Sequence, residues 1–100
     1  MKELVNQNIV ARCYYAGNWA GTVSQIDEQN GKIKIENAHR LWNWQAKDGI
    51  SLSEVAQNGV TGGKICKPVP FVWLNNSDCY ELIAMSNEAL KNISEHAKSF

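Results

Sequence analysis

The sequence predicts an α+β fold: a small antiparallel β-sheet or partial barrel with a short inserted helix and a C-terminal helix. Three observations support this. Apolar and polar residues alternate over short segments of the first half, as in strands with one buried face. A helix-start signal at residues 51–54 interrupts the alternation, and from residue 87 the apolar spacing becomes helical. A chain of 100 residues should form a single domain, residues 1–100.

Four strands are predicted in the first half, at residues 9–15, 19–26, 32–36 and 39–45. Asn30-Gly31 predicts a type I′ hairpin turn between the second and third, because both central positions of that turn need positive φ. Alternation in the fourth strand should put Arg40, Trp42 and Trp44 on one face.

The second half begins with a short helix. Ser51-Leu52-Ser53-Glu54 is a capping box, and Gly59 is a helix stop. Gly62-Gly63 then predicts a mobile loop.

An extended segment at residues 65–74 follows, and its two prolines confine it to a sheet edge or an irregular path. A last strand is predicted at residues 80–85. The C-terminal helix carries a narrow apolar stripe of Leu90, Ile93, Ala97 and Phe100. The stripe could pack on its own sheet or on another subunit, since small domains often gain core by oligomerisation.

Charge and composition limit the partners. Ten basic and ten acidic residues cancel, which excludes a cationic coat for duplex DNA or a membrane surface. A phosphate-bearing partner would need a few placed cations, and the arginines are Arg12 and Arg40. The polar N-terminus predicts no signal peptide and an intracellular location. Three cysteines without C-x-x-C spacing predict buried free thiols rather than a disulfide.

No catalytic motif is complete, so the sequence predicts a protein that is not an enzyme and carries no cofactor. Thr61-Gly62-Gly63-Lys64 lacks two required positions of a phosphate-binding loop. His39 and His96 have no cysteine or carboxylate at ligand spacing, so no metal site is expected.

The placement of arginines and aromatic residues is more informative. Arg40 shares a predicted strand face with two tryptophans, Arg12 shares one with Tyr14, and Trp19 follows a Gly-Asn turn. Aromatic rings stack on bases and guanidinium groups bind phosphates in bidentate fashion, so these residues indicate a nucleotide site. The alternative is structural, since aromatic residues on strands usually build core and an arginine can cover their edges.

Three segments carry a family resemblance: residues 15–22 (YAGNWAGT), 36–44 (ENAHRLWNW) and 51–60 (SLSEVAQNGV). The order continues with residues 66–69, a strand at residues 81–83 and the closing helix. Over about residues 8–98 the ordered set resembles the phage Thoeris anti-defence proteins of the first type, a family of cyclic-nucleotide sponges.

The resemblance implies a protein that binds cyclic immune signalling nucleotides without cleaving them and so blocks host Thoeris or CBASS signalling. The implied ligands are cyclic ADP-ribose isomers or cyclic oligonucleotides, and the implied location is the cytoplasm of the bacterial host. Dimers that build hexamers, with pockets at subunit interfaces, are also implied.

In this chain the resemblance implies a bidentate phosphate contact at Arg40 and a nucleotide-facing turn at residues 17–19. It also implies a second pocket, for which Asn75, Lys91 and Lys98 are the weaker candidates. Histidine is common in the family where Trp19 stands here, and arginine where the last helix has lysine. With Arg12 and Trp42 from the charge and strand-face arguments, the predicted ligand-binding residues are Arg12, Gly17, Asn18, Trp19, Arg40, Trp42, Asn75, Lys91 and Lys98.

Two other functions stay open. One is a β-rich module for single-stranded nucleic acid, with Trp19, Trp42 and Trp44 as stacking platforms. The other is a structural or protein-binding module that uses the apolar stripe of the last helix.

Overall fold

The computed structural model describes residues 2–99, which form six strands, two α-helices and two short 3-10 turns. The strands are β1 (Asn8–Cys13), β2 (Asn18–Asp27), β3 (Lys32–Ala46), β4 (Val60–Ile65), β5 (Val69–Asn75) and β6 (Cys79–Ala84). The helices are α1 (Leu52–Asn58) and α2 (Asn87–His96), and the 3-10 turns are Lys2–Leu4 and Asn76–Asp78.

The six strands form one antiparallel sheet built around β3. The strand order is β4-β3-β2-β1-β6, and β5 also pairs with β3. β3 is long enough to hold two partners in succession, because residues 32–38 pair with β5 and residues 41–46 pair with β4. The sheet curls into a half-barrel, which confirms the predicted α+β class with its partial barrel, inserted helix and C-terminal helix.

Each face of the sheet carries its own core. The helix core, under α1 and α2, consists of Val10, Ala20, Leu41, Val55, Ala56, Val60, Ile65, Met85, Ala89 and Ile93. The sheet core, on the other face, consists of Ile9, Ala11, Cys13, Trp19, Val23, Ile33, Ile35, Ala38 and Leu74. Neighbouring residues of β1 alternate between the cores, as predicted from the pattern. Since each fully buried Val, Ile or Leu contributes about 1.5–3 kcal/mol, both faces stabilise the fold.

The third and fourth predicted strands are one continuous strand, β3, with a bulge at Asn37. Asn37 has φ 48°, a left-handed conformation that asparagine tolerates better than most residues. Opposite it, the register of β2 shifts between Ala20 and Thr22. Ile35 and Ala38 consequently both enter the sheet core although they are three residues apart.

The predicted mobile loop at Gly62-Gly63 is wrong, because both glycines lie within β4 and pair with β3. Gly63 is opposite Trp44 and has φ 123°. A Cβ at this position would collide with the backbone of Asn43 and Trp44. Glycine therefore allows a close approach of two strands here, which local sequence cannot distinguish from a loop.

The hairpin at Asn30-Gly31 is confirmed, but its type I′ geometry is wrong. Gly31 has φ 64°, whereas Asn30 does not have positive φ. Asp27 and Lys32 pair at the ends of a four-residue loop, residues 28–31. The Asp27 carboxylate accepts hydrogen bonds from the backbone N–H of Asn30 at 3.0 Å and from its side-chain amide at 2.8 Å.

Both helices begin at a serine cap. Ser51 Oγ accepts from the N–H of Glu54 at 3.2 Å, which confirms half of the predicted capping box. The Glu54 carboxylate instead accepts from the Asn58 side chain at 2.9 Å. Gly59, with φ 89°, ends α1 as predicted.

The apolar stripe of α2 packs on its own sheet rather than remaining free for another subunit. Ile93 is fully buried, and Leu90 and Ala97 pack against the helix core. Phe100, the last residue of the predicted stripe, lies outside the described residues. Within residues 2–99, no helix is both long and apolar enough to span a membrane.

Candidate functional site

Arg40 and Trp19 face each other across β3 and β2. The guanidinium carbon of Arg40 lies 4.2 Å from the centroid of the Trp19 ring. Nη1 of Arg40 donates to the carbonyl oxygen of Ala16 at 2.8 Å, and Nε1 of Trp19 donates to the same oxygen at 3.0 Å. Trp19 is buried and Arg40 is half-buried. The guanidinium is thus held in one orientation by a ring face and a hydrogen bond.

The turn between β1 and β2 supplies the carbonyl that Arg40 and Trp19 share. Gly17 has φ 82°, a conformation that favours glycine, and its carbonyl oxygen accepts from the N–H of Cys13 at 2.9 Å. The Asp78 carboxylate accepts from the N–H of Tyr15 at 2.8 Å and from that of Ala16 at 3.0 Å. The carboxylate therefore fastens this turn to the start of β6.

Three exposed tyrosines surround an open cleft beside this turn. Tyr14 makes an edge-to-face contact with Tyr15 at 4.6 Å and with Tyr80 at 5.7 Å between ring centroids. We call the space the tyrosine cleft; it has a volume of about 460 Å³ and is lined by Tyr14, Tyr15, Asn75, Ser77, Asp78 and Tyr80. Its volume falls in the usual range of small-molecule sites, about 300–1,000 Å³.

The cleft and Arg40 are adjacent through the backbone of residues 14–17. The N–H of Ala16 binds Asp78 at the cleft, while its carbonyl binds Arg40. No carboxylate of residues 2–99 lies within ion-pair distance of Arg40. The arrangement therefore combines a cation that has no acidic partner in the described chain with a neighbouring aromatic cleft.

Arg12 is placed differently from Arg40. Its Nη1 lies 3.2 Å from Oε1 of Glu81, and the side chains are 57% and 47% exposed. An exposed pair of this kind contributes about 0–1 kcal/mol, so a stronger anion could displace the carboxylate.

The structure brings together only part of the predicted set. Asn75 lines the tyrosine cleft, and Asn18 pairs with Arg12 and Leu41 in the ladder. The exposed Lys91 lies on α2, and the exposed Lys98 follows that helix. α2 covers the sheet face opposite the core that contains Trp19. Lys91 is therefore separated from Arg40 by the sheet, whereas Lys98 forms a bridge with Cys66, whose N–H donates to the Arg40 carbonyl oxygen at 3.0 Å.

The predicted shared face of Arg40, Trp42 and Trp44 is wrong. Arg40 stacks on Trp19 of the sheet core, whereas Trp44 packs against the helix core. Trp42, between them, is 69% exposed. The register between β3 and β4 shifts between Leu41 and Asn43, and such a bulge changes which face the following side chains occupy.

Both histidines have hydrogen-bond partners inside the fold. Nδ1 of His39 lies 2.8 Å from the Cys66 carbonyl oxygen, and its Nε2 lies 3.1 Å from Ser94 Oγ. Nδ1 of His96 lies 2.9 Å from the Asn92 carbonyl oxygen. Throughout residues 2–99, no three His, Cys, Asp or Glu side chains converge as metal ligands.

Five cleft residues were absent from the predicted site: Tyr14, Tyr15, Ser77, Asp78 and Tyr80. Asp78 binds backbone groups 62 and 63 positions away in the chain, so no local pattern identifies it. The aromatic pair Tyr14-Tyr15 directly before Ala16-Gly17 was the available signal, since a turn exposes the rings that flank it.

The comparison with family models gives one finding. A model described as a domain of unknown function, DUF6948, matches residues 6–93. Searches of curated proteins and of solved structures give no match. The resemblance to the phage sponges therefore stays a prediction.

Proposed function

The chain belongs to the DUF6948 family, and we propose that this member is a non-catalytic protein that binds and sequesters a small phosphate-bearing nucleotide. The observation that carries the proposal is the Arg40 guanidinium, which is oriented by Trp19 and Ala16 and has no carboxylate within ion-pair distance in residues 2–99. A half-buried guanidinium that is held in one orientation and has no carboxylate nearby favours an anionic ligand.

Arg40 would bind a phosphate of the ligand. A guanidinium has five N–H donors in a planar fork, and the hydrogen bond to Ala16 uses a donor on Nη1. The fork matches two phosphate oxygens, and stacking on Trp19 reduces the entropy lost on binding.

The tyrosine cleft would bind the base or the ribose. Exposed phenol rings offer stacking faces, and the Asn75 amide and Ser77 hydroxyl can both donate and accept hydrogen bonds. The Asp78 carboxylate disfavours a phosphate inside the cleft. We therefore assign the phosphate to Arg40 and the uncharged part of the ligand to the cleft.

The ligand class follows from the resemblance and from the charge balance. A net charge of zero and a single oriented arginine suit a small ligand better than a polyanion. Cyclic ADP-ribose isomers are the first candidates and cyclic oligonucleotides the second. In this proposal the protein acts in the cytoplasm of a phage-infected bacterium, where it lowers the free concentration of an immune signal of the Thoeris or CBASS type.

Oligomerisation would complete the phosphate site. Lys91 lies on α2, over the sheet face opposite the core that contains Trp19, so we propose that a second subunit supplies this lysine in dimers that build to hexamers. Light scattering with and without ligand measures this, and a monomer in both conditions contradicts the shared site.

The experiment is a calorimetric screen of the purified protein against cyclic ADP-ribose isomers and cyclic di- and trinucleotides. Binding of one class with submicromolar Kd, followed by recovery of the unchanged ligand after heat denaturation, supports sequestration. A chemically converted ligand would indicate an enzyme instead. No binding by any member of the panel overturns the ligand class.

One observation favours the alternative, a module for single-stranded nucleic acid. On β5 the exposed side chains of Val69, Phe71 and Trp73 alternate, and Lys34 Nζ lies 4.4 Å from the Phe71 ring centroid. Aromatic rings next to a cation suit single-stranded nucleic acid, because the rings can stack on bases and the cation can bind the phosphate backbone. The platforms predicted earlier fit less well, because Trp19 is buried and Trp44 half-buried. Quenching of tryptophan fluorescence by oligonucleotides, with steep salt dependence, would select this function.

A further inference from the structure

Cys13 and Cys79 are opposite each other on the neighbouring strands β1 and β6. Their Sγ atoms are 3.2 Å apart, and the two thiols share a hydrogen bond. Cys13, Cys66 and Cys79 are all free thiols, but of the three only Cys13 is buried as predicted, and the other two are half-buried. The contact joins residues 66 positions apart, so no local pattern predicts it.

The two thiols differ in accessibility and acidity. Cys13 is only 7% exposed, whereas Cys79 is half-buried. The hydrogen bond with Cys13 lowers the pKa of the Cys79 thiol. The same hydrogen bond, followed by burial, raises the pKa of Cys13. The greater exposure of Cys79 favours it as the thiol that reacts first, and the lowered pKa agrees because the thiolate is the reactive form.

We propose that Cys13 and Cys79 form a reversible oxidation site, a dithiol that closes to a disulfide between strands β1 and β6. The oxidant is a small disulfide of the glutathione class. The Cys79 thiolate attacks one of its sulfurs, which forms a mixed disulfide and releases one thiolate. Cys13 then loses its proton and attacks Cys79 Sγ, which releases the second thiolate. In sum, two cysteine thiols are oxidised by two electrons and one glutathione disulfide becomes two thiols.

The position of the pair links oxidation to the cleft. Tyr14 and Tyr80 directly follow the two cysteines, and they are the edge-to-face pair at the cleft wall. The N–H of Tyr14 also donates to the Asp78 carbonyl oxygen at 2.9 Å. A bond between the sulfurs would therefore hold the two strands that carry this wall together covalently. The inference rests on the thiols and is independent of the proposed ligand.

The Cys66→Ser variant is the protein to test, because it retains only the two thiols in question. Lys67 precedes Pro68, where trypsin does not cut, so Cys66 and Cys79 fall in one tryptic peptide of the natural chain. The variant is equilibrated with mixtures of oxidised and reduced glutathione, quenched with acid, alkylated and analysed by mass spectrometry. We expect a monomer that is lighter by two hydrogens, with peptides 13–32 and 65–91 linked, and that returns to the dithiol on reduction.

Single-thiol variants and stability provide the controls. In the Cys66→Ser background, Cys13→Ser should accumulate a glutathione adduct on Cys79, whereas Cys79→Ser should react far more slowly. Disulfide formation should also move the urea midpoint of Cys66→Ser upward, because it constrains the unfolded chain. The proposal is overturned if Cys66→Ser retains both thiols in fully oxidised glutathione, stops at the mixed disulfide, or forms covalent dimers. None of these measurements uses a nucleotide, so a negative result here would not count against the proposed ligand binding, and a negative ligand screen would not count against the disulfide.

Discussion

Trp19 and Arg40 donate hydrogen bonds to one oxygen, the carbonyl of Ala16, at 3.0 Å and 2.8 Å. Both strands that carry these residues thereby depend on the same turn. The guanidinium is fixed before any ligand arrives, because stacking and the hydrogen bond leave it little rotational freedom. The packing of the buried Trp19 ring and the position of the Arg40 guanidinium in the proposed site therefore depend on each other.

Arg40→Ala should weaken binding of the ligand class found in the screen at least about tenfold, since a hydrogen bond to a charged group contributes roughly 1.5–3 kcal/mol. Arg40→Lys should recover only part of the affinity, because an ammonium retains the charge but not the planar fork. Isothermal calorimetry measures both.

Lys47→Ala is the matched control for loss of one positive charge, since Lys47 is exposed and lies outside the predicted set. Equal affinity of Arg40→Ala and Lys47→Ala would remove Arg40 from the site.

Asp78→Asn should lower the free energy of unfolding by about 1–3 kcal/mol, because the two backbone N–H groups bind different carboxylate oxygens and asparagine replaces one of these acceptors with an NH₂ donor. Urea unfolding followed by tryptophan fluorescence measures the change. Hydrogen exchange at Tyr15 and Ala16 should accelerate more than in the ladder between β1 and β2. Ser77→Ala, at an exposed neighbouring position, is the control, and equal stability of the two variants would contradict the fastening role of Asp78.

Gly63→Ala should be destabilising by about 1–3 kcal/mol, because a side chain at this φ is strained and its Cβ meets strand backbone. Gly62→Ala is a matched control in the same strand. A Cβ there would meet only the end of the Gln45 side chain, at 3.3 Å, and that side chain can move. Equal urea midpoints for the two variants would mean that β4 is not held against β3 as described.

At acid pH the protein should lose the part of its folding stability that the Asp27 carboxylate provides. Its hydrogen bonds from the Asn30 side chain and backbone lower the pKa of the carboxyl group. A lowered pKa in the folded state adds stability at pH values above the ordinary aspartate range, about 3.9, and this stability is lost as the pH falls through the folded value. Asp27→Asn should therefore flatten the decrease of Tm between about pH 5 and 2. Glu28→Gln removes a neighbouring exposed carboxylate, and an equal flattening would disprove a specific role for Asp27.

Most of the strands could be predicted, because the alternation of apolar and polar residues in each strand matches the alternation of its buried and exposed side chains. β1 alternates between two cores, and β6 and α2 lie close to their predicted positions. β4 could not be predicted, since a Gly-Gly pair is by local sequence a turn or loop signal and does not reveal the close strand contact made at Gly63. The face of Trp44 was missed because a bulge, which has no sequence signal here, changes the alternation before it.

The candidate site was also predicted only in part. Gly17 and Trp19 were predicted at a turn and Arg40 on a separate strand, all three as ligand-binding residues, and the structure places them together. Trp19 is nevertheless covered by Arg40 and buried, so it orients the cation and leaves stacking to exposed tyrosines.

The sequence by itself determined the α+β class, the serine cap and glycine stop of α1, and the fact that a neutral chain has few cations for a phosphate. Only the tertiary structure decided which of the two arginines has no carboxylate within ion-pair distance among residues 2–99. Arg12 meets Glu81 because β1 pairs with β6, whereas Arg40 meets Trp19 because β3 pairs with β2. Both results depend on contacts between residues far apart in the chain, and charge counting cannot supply them. Strand pairing is what distinguishes the two arginines.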